Sequence, residues 1–306
     1  MKFASNACSY MAMTSAEAVE LTREQIHAHD DQRDLGDAGG SALQAACREV
    51  FASASRLLDA GGGSGLAVPA LLTAAPVVVV VDWSLTMLAA AEGRARLRCA
   101  GDLRRLPFAD ATFDGVHAAY AIQNLAEWQQ AIAECVRVCR RAGPVVVAWG
   151  GPPADDRLAG IEHAYFSAVG EAAGVRAQRT GISLSAAHDC FASFGRPLSQ
   201  TFAVEGVQPR SPRQVVERAA LNPYRSQPED SDRAAAVAYA LGWAESHVGP
   251  VDEPVNFRVV RVHHVYRARS AQTGGSSHSD RCGGRRRMPA SGDDGSSGGT
   301  CGEGRR

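Results

Sequence analysis

The first half of this chain switches repeatedly between two hydrophobic periods. Short apolar runs stand at Arg56–Ala60, Val77–Val81, Leu97–Ala100, Thr112–Ala119 and Pro144–Trp149. Val77–Val81 is an unbroken β-branched run, the pattern of a strand buried on both faces. Helical spacing fills the gaps. In Trp128–Arg141, Ile132, Cys135, Val136 and Cys139 fall at i, i+3, i+4 and i+7. Val68–Ala74 and Ser84–Arg96 also predict helices, the second with Ser84 as its N-cap. Strands alternating with helices predict an α/β fold: a doubly wound sheet with helices on both faces.

The flanks are less regular. Thr14–His29 predicts a helix, Asp30–Gly40 a loop and Ser41–Ala54 a second helix. Later stretches predict a helix at Leu158–Ala173, a strand at Leu198–Val207 and a helix capped by Ser211 with Pro212 at its first position. A loop at Asn222–Asp232, a helix at Arg233–His247 and a strand at Val255–Arg267 follow. From about Arg269 Gly, Ser and Arg dominate, a composition that cannot bury a core. The expected organisation is a helical or flexible cap over 1–40, a main domain over 41–269 with a helical insert at about 208–250, and a disordered tail over 270–306.

Composition narrows the function. Over 306 residues, 45% are apolar and 21% charged, which is ordinary globular usage. A formal net charge of -1 gives no nucleic-acid footprint, and the Arg285-Arg286-Arg287 cluster reads as part of a solvated tail. The longest apolar run, Ala74–Val81, is far short of a membrane span, and no secretory signal is expected. None of the eight cysteines forms a C-x-x-C pair, so free thiols, no metal site and a cytosolic compartment are expected.

The chemistry concentrates in Leu57-Leu58-Asp59-Ala60-Gly61-Gly62-Gly63-Ser64-Gly65, between a predicted strand and a predicted helix. Glycine is needed where a ligand lies against a tightly turning backbone. A phosphate-binding loop would require a lysine that is absent, and a G-x-G-x-x-G fingerprint counted from Gly61 fails at Leu66. S-adenosylmethionine, which has no phosphate, asks instead for close backbone approach and carboxylates. Asp82 ends the second strand and can accept both ribose hydroxyls, a feature shared with NAD proteins. Asp102, at the end of the third, can accept from an adenine amino group, and Asp59 ends the first near the methionine end of such a ligand. The competing reading for each aspartate is a helix cap or a solvated loop residue.

In order, LLDAGGGSG, VVDWSLTML, AGDLRRLPFADATFDGV, AAYAIQNL and AECVRVCRRAG resemble the motifs of the class I S-adenosylmethionine-dependent methyltransferases. The likeness is to the group that includes the ubiquinone and menaquinone C-methyltransferases, and it runs from about Leu57 to Trp149. It implies a seven-stranded sheet, mostly parallel with an antiparallel last strand. It also implies that Gly61, Gly63 and Gly65 form the loop beside the methionine moiety, that Asp82 binds the ribose and that Trp83 packs on the adenine. Asp102 and the Leu103 backbone would hold the adenine, and Ala119 would line the pocket. Two motifs depart from the family: Ala142-Gly143-Pro144 replaces its PGG turn, and Gln123-Asn124 its Arg-Asn pair, which counts against a specific quinone assignment.

The expected function is therefore methyl transfer from S-adenosylmethionine to a small-molecule O, N or C acceptor. The alternatives are an RNA methyltransferase and a non-catalytic S-adenosylmethionine-binding protein. A general base would suit a phenol or amine acceptor, and His117, His163, Tyr165, His188 and His247 are the candidates. His263 and His264 are adjacent on one strand and so face opposite ways. Phe166, Phe191, Phe194, Tyr224 and Trp243 either roof an acceptor site or form a small core.

Overall fold

In a computed structural model the described residues are 20–149, 155–173, 182–222 and 230–268. Their centre is one seven-stranded sheet of β1 (Arg56–Ala60), β2 (Val77–Asp82), β3 (Leu97–Ala100), β4 (Gly115–Ala119), β5 (Val145–Trp149), β6 (Leu198–Arg210) and β7 (Val255–Tyr266). The strand order is β3-β2-β1-β4-β5-β7-β6. The first five strands pair in parallel, and β7 runs antiparallel between β5 and β6. The expected fold class is the one observed.

The sheet is buried on both faces, which explains the continuous apolar runs. One face carries Leu58, Val116, Val145 and Val147 against Ile132, Cys135 and Val138 of α5 (Trp128–Val138) and Phe191 of α7 (Leu184–Ser193). The other carries Leu57, Val78, Val80 and Val146 against Val50 of α2 (Gly36–Val50), Leu71 of α3 (Val68–Leu71) and Leu88 of α4 (Leu85–Ala90). A separate cluster joins α6 (Asp156–Ala173), α8 (Pro212–Ala220) and α9 (Asp230–His247) around Ile161, Tyr165, Val216 and Ala240.

The N-terminal expectations need correction. The first described helix, α1, is Arg23–Arg33, so the predicted loop over Asp30–Gly40 is helical except at the Asp34–Leu35 break. Thr22 caps α1: its hydroxyl accepts from Gln25 N–H, and the Gln25 side chain accepts from Thr22 N–H. The glycines that suggest a loop are helical for a packing reason. A Cβ on Gly39 would stand 2.6 Å from Leu35 Cβ and 3.0 Å from Glu205 O, so only glycine lets α2 lie on β6. Elsewhere, α4 is shorter than Ser84–Arg96 and gives way to turns before Gly93 (φ 87), while α7 has no counterpart among the sequence predictions. Residues 14–19, Tyr224 and the tail lie outside the described residues.

Gly206 makes the same contact from the β6 side, since a Cβ there would lie 2.0 Å from Leu35 O. Gly206→Ala is expected to lose about 1–3 kcal/mol and lower the melting temperature by several degrees. Gly242→Ala, on a helix position with nothing within 4 Å of the new Cβ, is expected to be neutral or to raise it slightly. Calorimetric melting curves check both. Equal melting temperatures for wild type and Gly206→Ala would contradict this packing.

Candidate active site

A cavity of ≈ 300 Å³ opens at the carboxyl ends of β1, β2 and β4, under α1 and the start of α2. Strand order reverses between β1 and β4, the usual ligand position in a doubly wound sheet. The loop leaving β1 turns sharply, with Gly61 at φ 66, and Gly61 N–H donates to Val81 O at 2.8 Å. A Cβ on Gly61 would stand 2.3 Å from Ala121 Cβ, so the backbone lies bare on the cavity wall.

Asp82 is buried at the end of β2. Its Oδ2 accepts from Gly63 N–H at 2.9 Å and its Oδ1 from Ser84 N–H at 2.9 Å. Burial pushes its carboxyl from the ordinary 3.8 up to about 6, against the pull of these N–H groups. Trp83 lines the cavity beside it, as do Asp102, Leu103 and Ala119. Arg104 grips Asp102 through Nε at 2.9 Å and also reaches Glu127 at 2.8 Å. Of the residues predicted to form the site, only Gly65 stands away from the cavity. Its left-handed φ of 76 shapes the turn into α3.

Asp59 is 1% exposed. As a carboxylate it accepts at Oδ1 from the Nδ1–H of His117, its neighbour on β4, at 2.8 Å. Its Oδ2 is buried and has no hydrogen-bond partner among the described residues. Of the five candidate bases, His117 alone lines the cavity. His163 meets Ser167 on α6, Tyr165 is in the helical core, His188 lies against His264 and Tyr266, and His247 stacks on Trp243. Of the two roles left open for the later aromatics, the described ones mostly take the core role. Phe166 and Trp243 pack in the helical cluster, Phe191 stacks on Tyr266, and Phe194 is exposed.

Sequence reading missed the groups that close the cavity from above. His29 and Arg33 come from α1, Tyr120 from the end of β4, and Arg261 and His263 from β7. Tyr120 adopts φ 56, a strained value for a bulky residue, with Arg33 at 5.3 Å and Arg261 at 5.6 Å from its ring centre. The helix predicted over Thr14–His29 overlaps α1, and the Thr22-x-x-Gln25 capping box was the signal for where it begins. Three side chains from the far sheet edge hold its C-terminal carbonyls: Gln208 donates to Asp34 O, Arg210 to Asp31 O, and Arg261 to Gln32 O at 2.6 Å. Asp30 ties its last turn to the glycine loop, accepting from Ser64 Oγ at 2.5 Å and Arg94 at 2.9 Å.

The bare glycine backbone and the carboxylates fit S-adenosylmethionine. The orphaned Asp59 Oδ2 suits a cationic or N–H group, and no lysine is among the residues that line the cavity to hold a phosphate.

The sheet order and the position of this cavity define a fold of the class I methyltransferase type. The family model described as "Methyltransferase domain" matches residues 58–147. Among curated relatives, the demethylmenaquinone methyltransferase of Mycolicibacterium paratuberculosis is 34% identical over 111 residues, covering 36% of this chain and 48% of that protein. That of Mycolicibacterium gilvum is 30% identical over 113 residues, covering 37% and 50%. The chain thus spans about half the length of the curated relatives it matches. A solved chain from Anaeromyxobacter dehalogenans, provisionally described as a type II methyltransferase, superposes with a TM-score of 0.54 at 16% identity, covering 74% of this chain and 95% of that one. Another from Anabaena variabilis, provisionally described as a methyltransferase of an antibiotic biosynthesis pathway, gives 0.51 at 15%, covering 73% and 96%. Among the described residues no helix is long and apolar enough to cross a membrane.

The raised carboxyl of Asp82 has a consequence for stability. The folded chain takes up its proton near pH 6 and the unfolded chain near 3.8. Stability therefore rises as pH falls from 7 to 5, by about 1.4 kcal/mol from this group. The melting-temperature difference between wild type and Asp82→Asn is expected to shift in favour of wild type by a few degrees over that range. Parallel profiles for the two proteins would contradict the assignment.

Proposed function

We propose that this chain binds S-adenosylmethionine in the cavity and transfers its methyl group to a small-molecule acceptor. One observation carries this reading: Asp59, the glycine loop, Asp82 and Asp102 converge on a single cavity at the switch point of the sheet. When bound, the cofactor supplies an electrophilic methyl group on a sulfonium. Gly61 and Gly63 give the methionine end close backbone approach. The lone pairs of Asp82 not used by Gly63 and Ser84 accept the ribose hydroxyls, which requires the ionised carboxylate. Trp83 flanks the adenine, Asp102 and the Leu103 backbone meet its polar edge, and Ala119 completes the wall.

The helices before β1 act as the cap. Tethered to the glycine loop by Asp30 and to the sheet edge by Arg210 and Arg261, α1 keeps water from the reacting groups. The curated relatives are named as demethylmenaquinone methyltransferases, which supports a quinone-type small molecule as one acceptor class to test. The described cysteines are free thiols, which fits the expected reducing compartment.

Calorimetry with S-adenosylhomocysteine and with NADH tests the reading. The expected result is binding of S-adenosylhomocysteine alone, weakened ten- to a hundredfold by Asp82→Ala, as loss of a charge-assisted hydrogen bond of about 1.5–3 kcal/mol requires. Affinity should be flat above pH 7 and fall about tenfold per unit below pH 6, because the protonated Asp82 loses acceptor strength; Asp82→Asn should abolish that dependence. Binding of NADH in place of S-adenosylhomocysteine would overturn the assignment.

A further inference from the structure

We propose that His117 is the general base of the reaction, with Asp59 as the residue that positions it, so that the acceptor is one that must lose a proton as it is methylated. The inference rests on the methyltransferase reading above. Its basis is the row formed by the buried Asp59 on β1, His117 on β4 and His263 on β7 with the half-buried Phe202 on β6, on the sheet face beneath the start of α2.

The hydrogen bond from His117 Nδ1–H to Asp59 Oδ1 at 2.8 Å fixes the tautomer. Nδ1 carries the hydrogen, and Nε2, on the opposite side of the ring, keeps a lone pair. The ring is fixed as well as oriented. It stacks at 6.1 Å on His263, which itself stacks at 4.8 Å on Phe202 with an interplanar angle of 3°. A carboxylate behind an imidazole that faces a cavity is the arrangement that orients a histidine base and stabilises its protonated form.

Position separates His117 from its rivals. The other titratable or charged groups sharing its cavity are Asp59, Asp82, Asp102, Asp34, His263, His29, Tyr120, Arg33 and Arg261. Asp59 is committed to His117, Asp82 to Gly63 and Ser84, and Arg261 to Gln32. Burial and the neighbouring His117 push His263 down to about 3, which holds it neutral. Burial also lowers His29. His263 Nδ1 is buried without a partner among the described residues, an acceptor that can steady a hydroxyl or amine.

The step balances. The acceptor's electron pair, a lone pair on oxygen or nitrogen or the C–H bond pair released as the proton leaves carbon, forms the bond to the methyl carbon, the sulfur–carbon bond breaks with its electrons returning to sulfur, and the acceptor's proton passes to Nε2 of His117. Phenols, hydroquinones, protonable amines and acidic C–H groups meet this requirement. An acceptor that has no proton to lose does not.

Two measurements test the proposal. Nitrogen-15 NMR of histidine-labelled protein saturated with S-adenosylhomocysteine should show His117 as the Nδ1–H tautomer, titrating at Nε2. Steady-state transfer to 1,4-dihydroxynaphthalene, followed by S-adenosylhomocysteine release, should rise with pH to a plateau in the wild type. In His117→Gln it should fall about 10²- to 10⁴-fold in kcat and lose the limb, with S-adenosylhomocysteine affinity kept within about threefold. Asp59→Asn should shift the limb. An Nε2–H tautomer, a His117 that does not titrate, or a His117→Gln variant whose loss lies in cofactor affinity would overturn the proposal. If the wild type does not use this acceptor, tautomer and titration decide alone. Wild-type protein that binds no S-adenosylhomocysteine refutes the methyltransferase reading itself.

Discussion

The candidate site of this molecule is organised by one buried carboxylate. Asp82 holds the glycine loop through Gly63 N–H and the start of α4 through Ser84 N–H, each at 2.9 Å. Two segments that follow different strands are thereby fixed to the end of a third element. The arrangement leaves a carboxyl group nearly without solvent, and its proton affinity is raised as a result. A site of this kind trades stability of the empty protein for a preorganised acceptor of hydrogen bonds, as functional sites often do.

A second layer of charge closes the site. The C-terminus of α1 ends on carbonyls that Gln208, Arg210 and Arg261 engage from the antiparallel edge of the sheet. Asp30 binds the glycine loop from the same helix. The last turn of α1 is thus anchored both to the glycine loop and to strands laid down late in the chain. Its contacts with the sheet depend on glycine at Gly39 and Gly206, where any side chain would meet backbone or a leucine. Tyr120, held between Arg33 and Arg261, sits where cap and sheet meet, and its left-handed backbone marks the seam.

Much of this was legible in the sequence, because the sheet is buried on both faces and writes itself as short apolar runs. The strand ends carry the site, so Asp59, Asp82 and Asp102 could be placed before any geometry was known. The N-terminal boundary was not legible, since Gly36, Gly39 and Gly40 look like a loop until β6 is laid against them. Nor was the fate of the histidines. His117 and His163 are equivalent in one dimension, and only the pairing of β1 with β4 brings His117 to Asp59. Trp243 and Phe166 were open in the sequence between roofing a site and forming a core, and packing decides for the core, where Trp243 fills the space left by Gly160.

A crystal structure of the complex with S-adenosylhomocysteine tests the account most directly. The account places the ribose hydroxyls on the Asp82 carboxylate, the adenine between Trp83 and Leu103, and the sulfur on the side of the cavity lined by Asp59 and His117. Density for the ligand in another part of the molecule, or in this cavity with the ribose turned away from Asp82, would contradict it.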